Sequence, residues 1–123
     1  MKVRSLVLTV CIALLTGCAT NTAKYNWGNY DPSLYAYYKN PAKAGELSQA
    51  LENSIKGADK AHKLVAPGMY AEYGYLLLQA GRQTDAISSF QQEESHWPES
   101  KPLMDRMIAL ASTAPRQSTT KEP

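Results

Sequence analysis

Histidine, cysteine and the carboxylates are the side chains through which a small chain most readily does chemistry, and here they are few and scattered. His62 and His96 are the only histidines and Cys11 and Cys18 the only cysteines, with none of the close spacings that build a zinc site. Glu93 and Glu94 are adjacent, so on a helix their carboxylates diverge by ~100° and cannot converge on one bond. Neither a nucleophile motif nor a glycine-rich phosphate loop is present. His62 falls on an apolar stripe, where a half-buried structural role is expected, and His96 precedes Trp97-Pro98 at a helix end, where it suits the negative pole of the dipole. We expect no enzymatic activity, no metal and no cofactor.

Recognition chemistry is better represented. Six of the chain's eleven aromatic residues lie in YNWGNYDPSLYAYY, Tyr25 to Tyr38. Each buried ring removes ~150–250 Å² from water, and Tyr and Trp are enriched where proteins grip one another. Four uses compete for Tyr25, Trp27, Tyr30 and Tyr35: cover for a short helical core, contact with a partner protein, stacking on peptidoglycan sugars, and a seat at a bilayer surface.

The segment before the rings says where they work. Lys2 and Arg4 precede an apolar run from Leu6 to Leu15, and small residues follow, the order of a secretory signal. A bilayer span needs roughly 20 apolar residues, more than this run supplies. Leu15-Thr16-Gly17-Cys18 resembles a bacterial lipobox. That resemblance implies a lipid on the Cys18 thiol, cleavage after Gly17, and a further acyl chain on the new amino terminus. Two or more chains anchor stably where one does not. Ala19, in place of the Asp that retains lipoproteins at the inner membrane of enteric bacteria, implies the outer membrane, with the domain facing the periplasm. Loss of residues 1–17 lowers the basic count from 13 to 11, matching the 11 acidic residues, so the mature chain offers no basic surface for nucleic acid.

Elements follow from periodicity. Residues 18–24 read as the lipidated cysteine and a short polar tether, at most ~21 Å long. Asp31-Pro32 can cap and open a short helix to Lys39, with Leu34, Tyr37 and Tyr38 on one face and Tyr35 elsewhere. Asn40-Pro41 opens a long helix whose Leu47, Leu51, Ile55, Ala58, His62 and Val65 share a face and which Pro67-Gly68 should stop. A last helix is expected over Lys101–Ala111, with Ser100 as cap and Leu103, Met107, Leu110 and Ala111 on its stripe, before a disordered polar tail, 112–123. Alternating apolar runs are absent, so the class is all-α.

Between these helices, Tyr70, Tyr73, Gly74, Leu77, Ala86, Phe90 and Pro98 resemble one tetratricopeptide repeat of about 34 residues, with Gly81 at its turn and Glu93 where the family usually has alanine. The resemblance implies a short tetratricopeptide-like hairpin array over 41–111, with the last helix as cap. It also implies a concave groove lined by Ala71, Tyr75, Leu78 and Gln79, with Glu72 and Arg82 at its rim.

The mature chain as a whole resembles a family of small bacterial envelope lipoproteins marked by a Y-x-W-G-x-Y-x-x-x-L-Y-x-Y stretch. Tyr25, Trp27, Gly28, Tyr30, Leu34, Tyr35 and Tyr37 fit it. Members are often encoded beside a lipoprotein resembling the curli secretion pore, which implies a shared envelope system. The expected function is therefore that of an outer-membrane lipoprotein, an adapter or accessory subunit of an envelope assembly or secretion complex. Its partners would be the bilayer, through acylated Cys18, and another envelope protein of the curli-secretion-pore-like kind. Binding would use Tyr25, Trp27, Tyr30, Tyr35, Tyr75, Leu78 and Gln79. The alternative is a peptidoglycan-binding module that uses the aromatic stretch.

Overall fold

A computed structural model describes residues 23–113, so Cys18, the expected signal segment and the residues of the expected tail beyond Thr113 lie outside the described residues. Five α-helices follow one another: α1 (Tyr30–Lys39), α2 (Ala44–Lys60), α3 (Met69–Gln79), α4 (Gln83–His96) and α5 (Lys101–Thr113). Single 3₁₀ turns, Pro41–Lys43 and Pro98–Ser100, precede α2 and α5. The described residues are all-α, and their one β-type pairing is an isolated parallel bridge between Tyr25 and Leu64.

Helix α1 begins at Tyr30, earlier than Asp31-Pro32 suggested. Asp31 sits inside the first turn, where its charge suits the dipole, instead of capping it. Pro32 is tolerated there because a first-turn N–H has no helical acceptor. Asn40 ends the helix in an extended conformation, as a residue before proline prefers. Its side chain then accepts from the Ala42 amide at 3.1 Å. Tyr30, Leu34 and Tyr37 face the core, while Tyr38 points outward with Tyr35, which corrects the expected grouping.

Along α2, Leu47, Ala50, Leu51, Ser54 and Ala58 are buried at steps of three and four. The helix stops at Lys60, well short of Pro67-Gly68. His62 adopts φ +51°, and the amides of His62 and Lys63 bond back to Asp59 (3.1 Å) and Ala58 (2.9 Å). That pair of bonds is a Schellman closure, and histidine is among the few non-glycine types that enter the left-handed region readily. His62 is therefore exposed at a turn and not half-buried on a stripe. Val65 still reaches the core, from the loop.

Gly81 makes the same closure between α3 and α4 at φ +76°, with Gly81 and Arg82 amides bonded to Leu78 and Leu77. The resulting hairpin is tight because Gly74 has no side chain. A Cβ there would stand 2.6 Å from Phe90 Cε1. Each helix packs against the next along the chain. Leu47, Leu51, Ala58, Val65, Ala66, Met69 and Leu76 form one core cluster, and Leu77, Ala86, Phe90, Met104 and Ala111 a second, with Tyr73 packed against both.

Helix α5 differs from expectation in cap, stripe and end. The Ser100 hydroxyl donates to Glu93 Oε1 at 3.3 Å instead of capping α5. Met104 and Ala111 are buried against Phe90 with Met107 and Ile108 beside them, whereas Leu103 and Leu110 are exposed. Helix α5 packs chiefly on α4 and buries a narrow arc, and the two leucines fall outside that arc. Ser112 and Thr113 continue the helix, their hydroxyls donating to Ile108 and Ala109 carbonyls.

Candidate functional site

The aromatic stretch is first of all a clasp. Its backbone enters the domain at Lys24, whose carbonyl accepts from the Leu64 amide at 3.3 Å. The Asn26 side-chain amide donates to the Ser54 carbonyl at 2.9 Å, and the Ser54 hydroxyl donates to the Trp27 carbonyl at 2.8 Å. Two glycines make room. Gly57 leaves space for the Asn26 amide, and Gly28, at φ +53°, has Ser54 Oγ 2.7 Å from where its Cβ would lie. The tryptophan-glycine pair thus serves a backbone laid closely along α2.

The rings then close over this segment. Tyr25 meets Trp27 and Trp97 edge-on, with centroids 6.0 and 6.3 Å away, and Trp27 lies tilted 5.8 Å from Tyr30. These separations suit edge-to-face attraction. Tyr30 donates its hydroxyl to Glu72 Oε2 at 2.7 Å. Burial, then that hydrogen bond and the charge of Glu72, raise its pKa well above the usual tyrosine value. Burial likewise raises Tyr70 and Tyr73.

The candidate residues divide sharply by exposure. Tyr25 and Tyr30 are half-buried in the clasp, whereas Trp27 (42 %), Tyr35 (64 %) and Tyr75 (45 %) present ring surface to solvent. Leu78 and Ala71 are half-buried and pack against the Phe90 cluster. Gln79 and Arg82 border a cavity of about 240 Å³ with Ala44, Gly45, Ser48, Leu76, Leu77 and Ala80. Arg82 pairs with Asp85 at 2.6 Å, and Glu72 is taken by Tyr30. Of the residues expected at the groove and its rim, Tyr75, Gln79 and Arg82 are exposed.

Three residues matter more than sequence reading indicated. Glu93 is buried, and its Oε1 accepts from the Gly68 amide at 2.7 Å as well as from Ser100. One carboxylate thereby ties the start of α3 to the turn before α5, and its charge suits the positive end of α3. Its departure from the alanine of the repeat pattern was the available signal. Ser54 and Trp97 carried none, because their roles depend on the distant clasp. No group of three or more metal-ligating side chains is assembled among the described residues. His96 instead lies tilted against Tyr70, with ring centroids 5.2 Å apart.

No helix among the described residues is long and apolar enough to cross a membrane. Residues 24–107 match the model of a family described as a domain of unknown function, DUF4810. Comparison with curated proteins and with solved structures gives no match.

Proposed function

The chain belongs to the DUF4810 family, and from that premise we propose that it is an outer-membrane lipoprotein serving as an adapter in an envelope assembly or secretion complex. Cys18 carries the lipid, and the helical domain stands in the periplasm with an apolar face for a second envelope protein. The observation that carries the reading lies on α5. Leu103 and Leu110, two turns apart on one side of the helix, remain 58 % and 55 % exposed although the helix has a buried side of its own. Paired bare leucines on an end helix invite an amphipathic helix or strand edge from another protein. Confinement by lipid raises the effective concentration of such a site without new contacts.

The lipobox, the aromatic motif and the likeness to a family that accompanies a curli-secretion-pore-like lipoprotein make that kind of protein the partner to look for. A tetratricopeptide-like stacking of the helices is part of the same reading, supported by the Gly74–Phe90 contact and the Gly81 turn. Stacking of peptidoglycan sugars on Tyr25, Trp27 and Tyr30 has less behind it. Those rings meet one another edge-on or tilted, and Trp27 alone is exposed.

A photo-crosslinking side chain at Leu103, introduced in cells, tests the reading. One envelope protein should be captured from Leu103 and not from Glu46, an exposed residue of α2. Capture of sacculus fragments alone, or equal capture from both positions, overturns it.

A further inference from the structure

We propose that the outer face of α1, presented by Tyr35 and Tyr38, docks on the surface of the bilayer that holds the Cys18 lipid. The inference rests on the lipid-anchor half of the function proposed above and adds an orientation to it. Its first support is that, among the described residues, neither ring meets a partner ring or joins a core cluster. Tyr38 is 81 % exposed, and together with Leu34, Tyr35 and Asp31 it borders a shallow cleft of about 440 Å³ whose surface is almost wholly apolar apart from Asp31. Helix α1 packs against α2 and the turn between them, which leaves this flank open.

The length of chain supplies the occupant. Six peptide steps join Cys18 to Lys24, no more than ~21 Å when fully extended. Lys24 is already fixed to the domain through Leu64, and α1 starts only a few residues later. A ten-residue helix is ~15 Å long, so its whole outer face lies on the scale of that tether. Whatever else the domain meets, the bilayer is always within reach of α1.

The side-chain chemistry fits the same surface. Tyrosine offers an apolar ring with a hydroxyl at its tip, a combination favoured at headgroup depth. Lys39 holds its amine 5.5 Å from the Tyr35 ring. Such a stem can lie along the ring while its amine turns to lipid phosphates. Leu103 and Leu110 lack any such polar tip, which separates a protein-facing patch from a lipid-facing one. Two rings would not hold a free protein to a membrane. On a protein already tethered they need only choose among orientations, and weak contacts suffice for that.

The test uses the lipidated chain in vesicles of phosphatidylethanolamine and phosphatidylglycerol at low protein density, with no other protein present. Hydroxyl-radical oxidation of each tyrosine, read by mass spectrometry, is compared with the unlipidated chain, expressed from Ala19 onward, in buffer. Tyr35 and Tyr38 should be oxidised several-fold less on vesicles, while Tyr75 is unchanged. Equal oxidation of Tyr35 and Tyr38 in a chain shown by mass to be lipidated overturns the docking and leaves the anchor standing. Protection that appears only as protein density rises overturns it in favour of a second copy. A purified native chain without acyl groups on Cys18 removes the anchor and this inference together.

Discussion

The clasp around Tyr25–Tyr30 and the outer side of α5 are both rich in apolar surface, yet they are built on different terms. In the clasp, each ring stands beside a polar closure: Asn26 to Ser54, Ser54 to Trp27, Tyr30 to Glu72, and Lys24 to Leu64. Along α5 the buried side ends at Met104 and Ala111, and Leu103 and Leu110 have no comparable neighbour. Buried polar groups demand partners with fixed geometry, so a hydrogen-bonded ring is committed to the fold. A leucine outside the core arc is committed to nothing within the described residues. The difference separates residues that hold the molecule together from residues free to hold something else.

The largest effect that can be imposed on this contrast comes from the core between the two regions. Phe90 is fully buried, touches the Gly74 backbone and lies under Met104 and Ala111. Phe90→Ala should cost ~3–5 kcal/mol, from lost burial plus the cavity left behind. Urea unfolding followed by far-UV circular dichroism measures it. Because Tyr73 packs against both clusters, one transition shifted as a whole is expected. A wild-type-like midpoint for the clasp, followed separately through Trp27 and Trp97 fluorescence, would mean that the two regions fold independently.

Next in size is the clasp itself. Gly28→Ala places a Cβ in the left-handed region and against Ser54 Oγ, where the hydroxyl must turn away from the Trp27 carbonyl. A non-glycine residue in that region costs of order 1–3 kcal/mol, and the same urea titration should show it. The loss should come with greater Trp27 exposure, read as a red shift of tryptophan emission. An unchanged midpoint would mean that the stretch rests on the surface without bracing it.

How much of this was legible depended on how local the cause is. The all-α class, Gly81 as a turn, and Gly74 as a point of close helix approach all follow from residues near in sequence whose shape leaves few options. His62 was misread because its helix ends through backbone bonds to Ala58 and Asp59, and no proline or glycine marks the spot. The α5 stripe was half legible, because periodicity gives an apolar side without saying which neighbour will cover it. Met107 and Ala111 join the core as the spacing suggested, but Met104 takes the place expected for Leu103 and Leu110. The clasp shows the remaining limit. Asn26, Gly28 and Ser54 make sense only once Ser54 is known to lie beneath Trp27, a pairing that no local pattern encodes.

A smaller effect tests whether the Tyr30 hydroxyl is committed as its geometry implies. Tyr30→Phe removes the bond to Glu72 and should cost about 1 kcal/mol. The pH dependence gives a sharper signature. A tyrosine whose pKa is raised in the fold lends stability that is intact below its ordinary value of 10.0 and is lost as pH climbs beyond it. The wild type should therefore lose stability above pH 10 more steeply than Tyr30→Phe. Some alkaline sensitivity persists in the variant, because Tyr70 and Tyr73 are also raised by burial. Parallel curves for the two proteins would mean that this hydroxyl is not held by the fold.

The smallest effect on stability should fall on the side chains with the largest effect on binding. Leu103→Ser with Leu110→Ser changes two exposed positions of α5 and leaves Met104, Met107, Ile108 and Ala111 in place. Each exposed substitution should stay within about 0.5 kcal/mol, so the urea midpoint barely moves. With the photo-crosslinking side chain moved to Arg106, an exposed neighbour of both leucines on α5, capture of the envelope protein should nevertheless disappear if the bare leucines are where a partner sits. Gly28→Ala should do the reverse: a lower midpoint, with capture through α5 retained at temperatures where the fold persists. The pair of outcomes matters more than either alone. A loss of capture in Leu103→Ser/Leu110→Ser with an unchanged midpoint cannot come from unfolding, and retained capture in Gly28→Ala cannot come from a partner gripping the clasp. If both variants instead lose capture in proportion to lost stability, the distinction between committed rings and free leucines fails. The binding surface must then be sought in the fold as a whole.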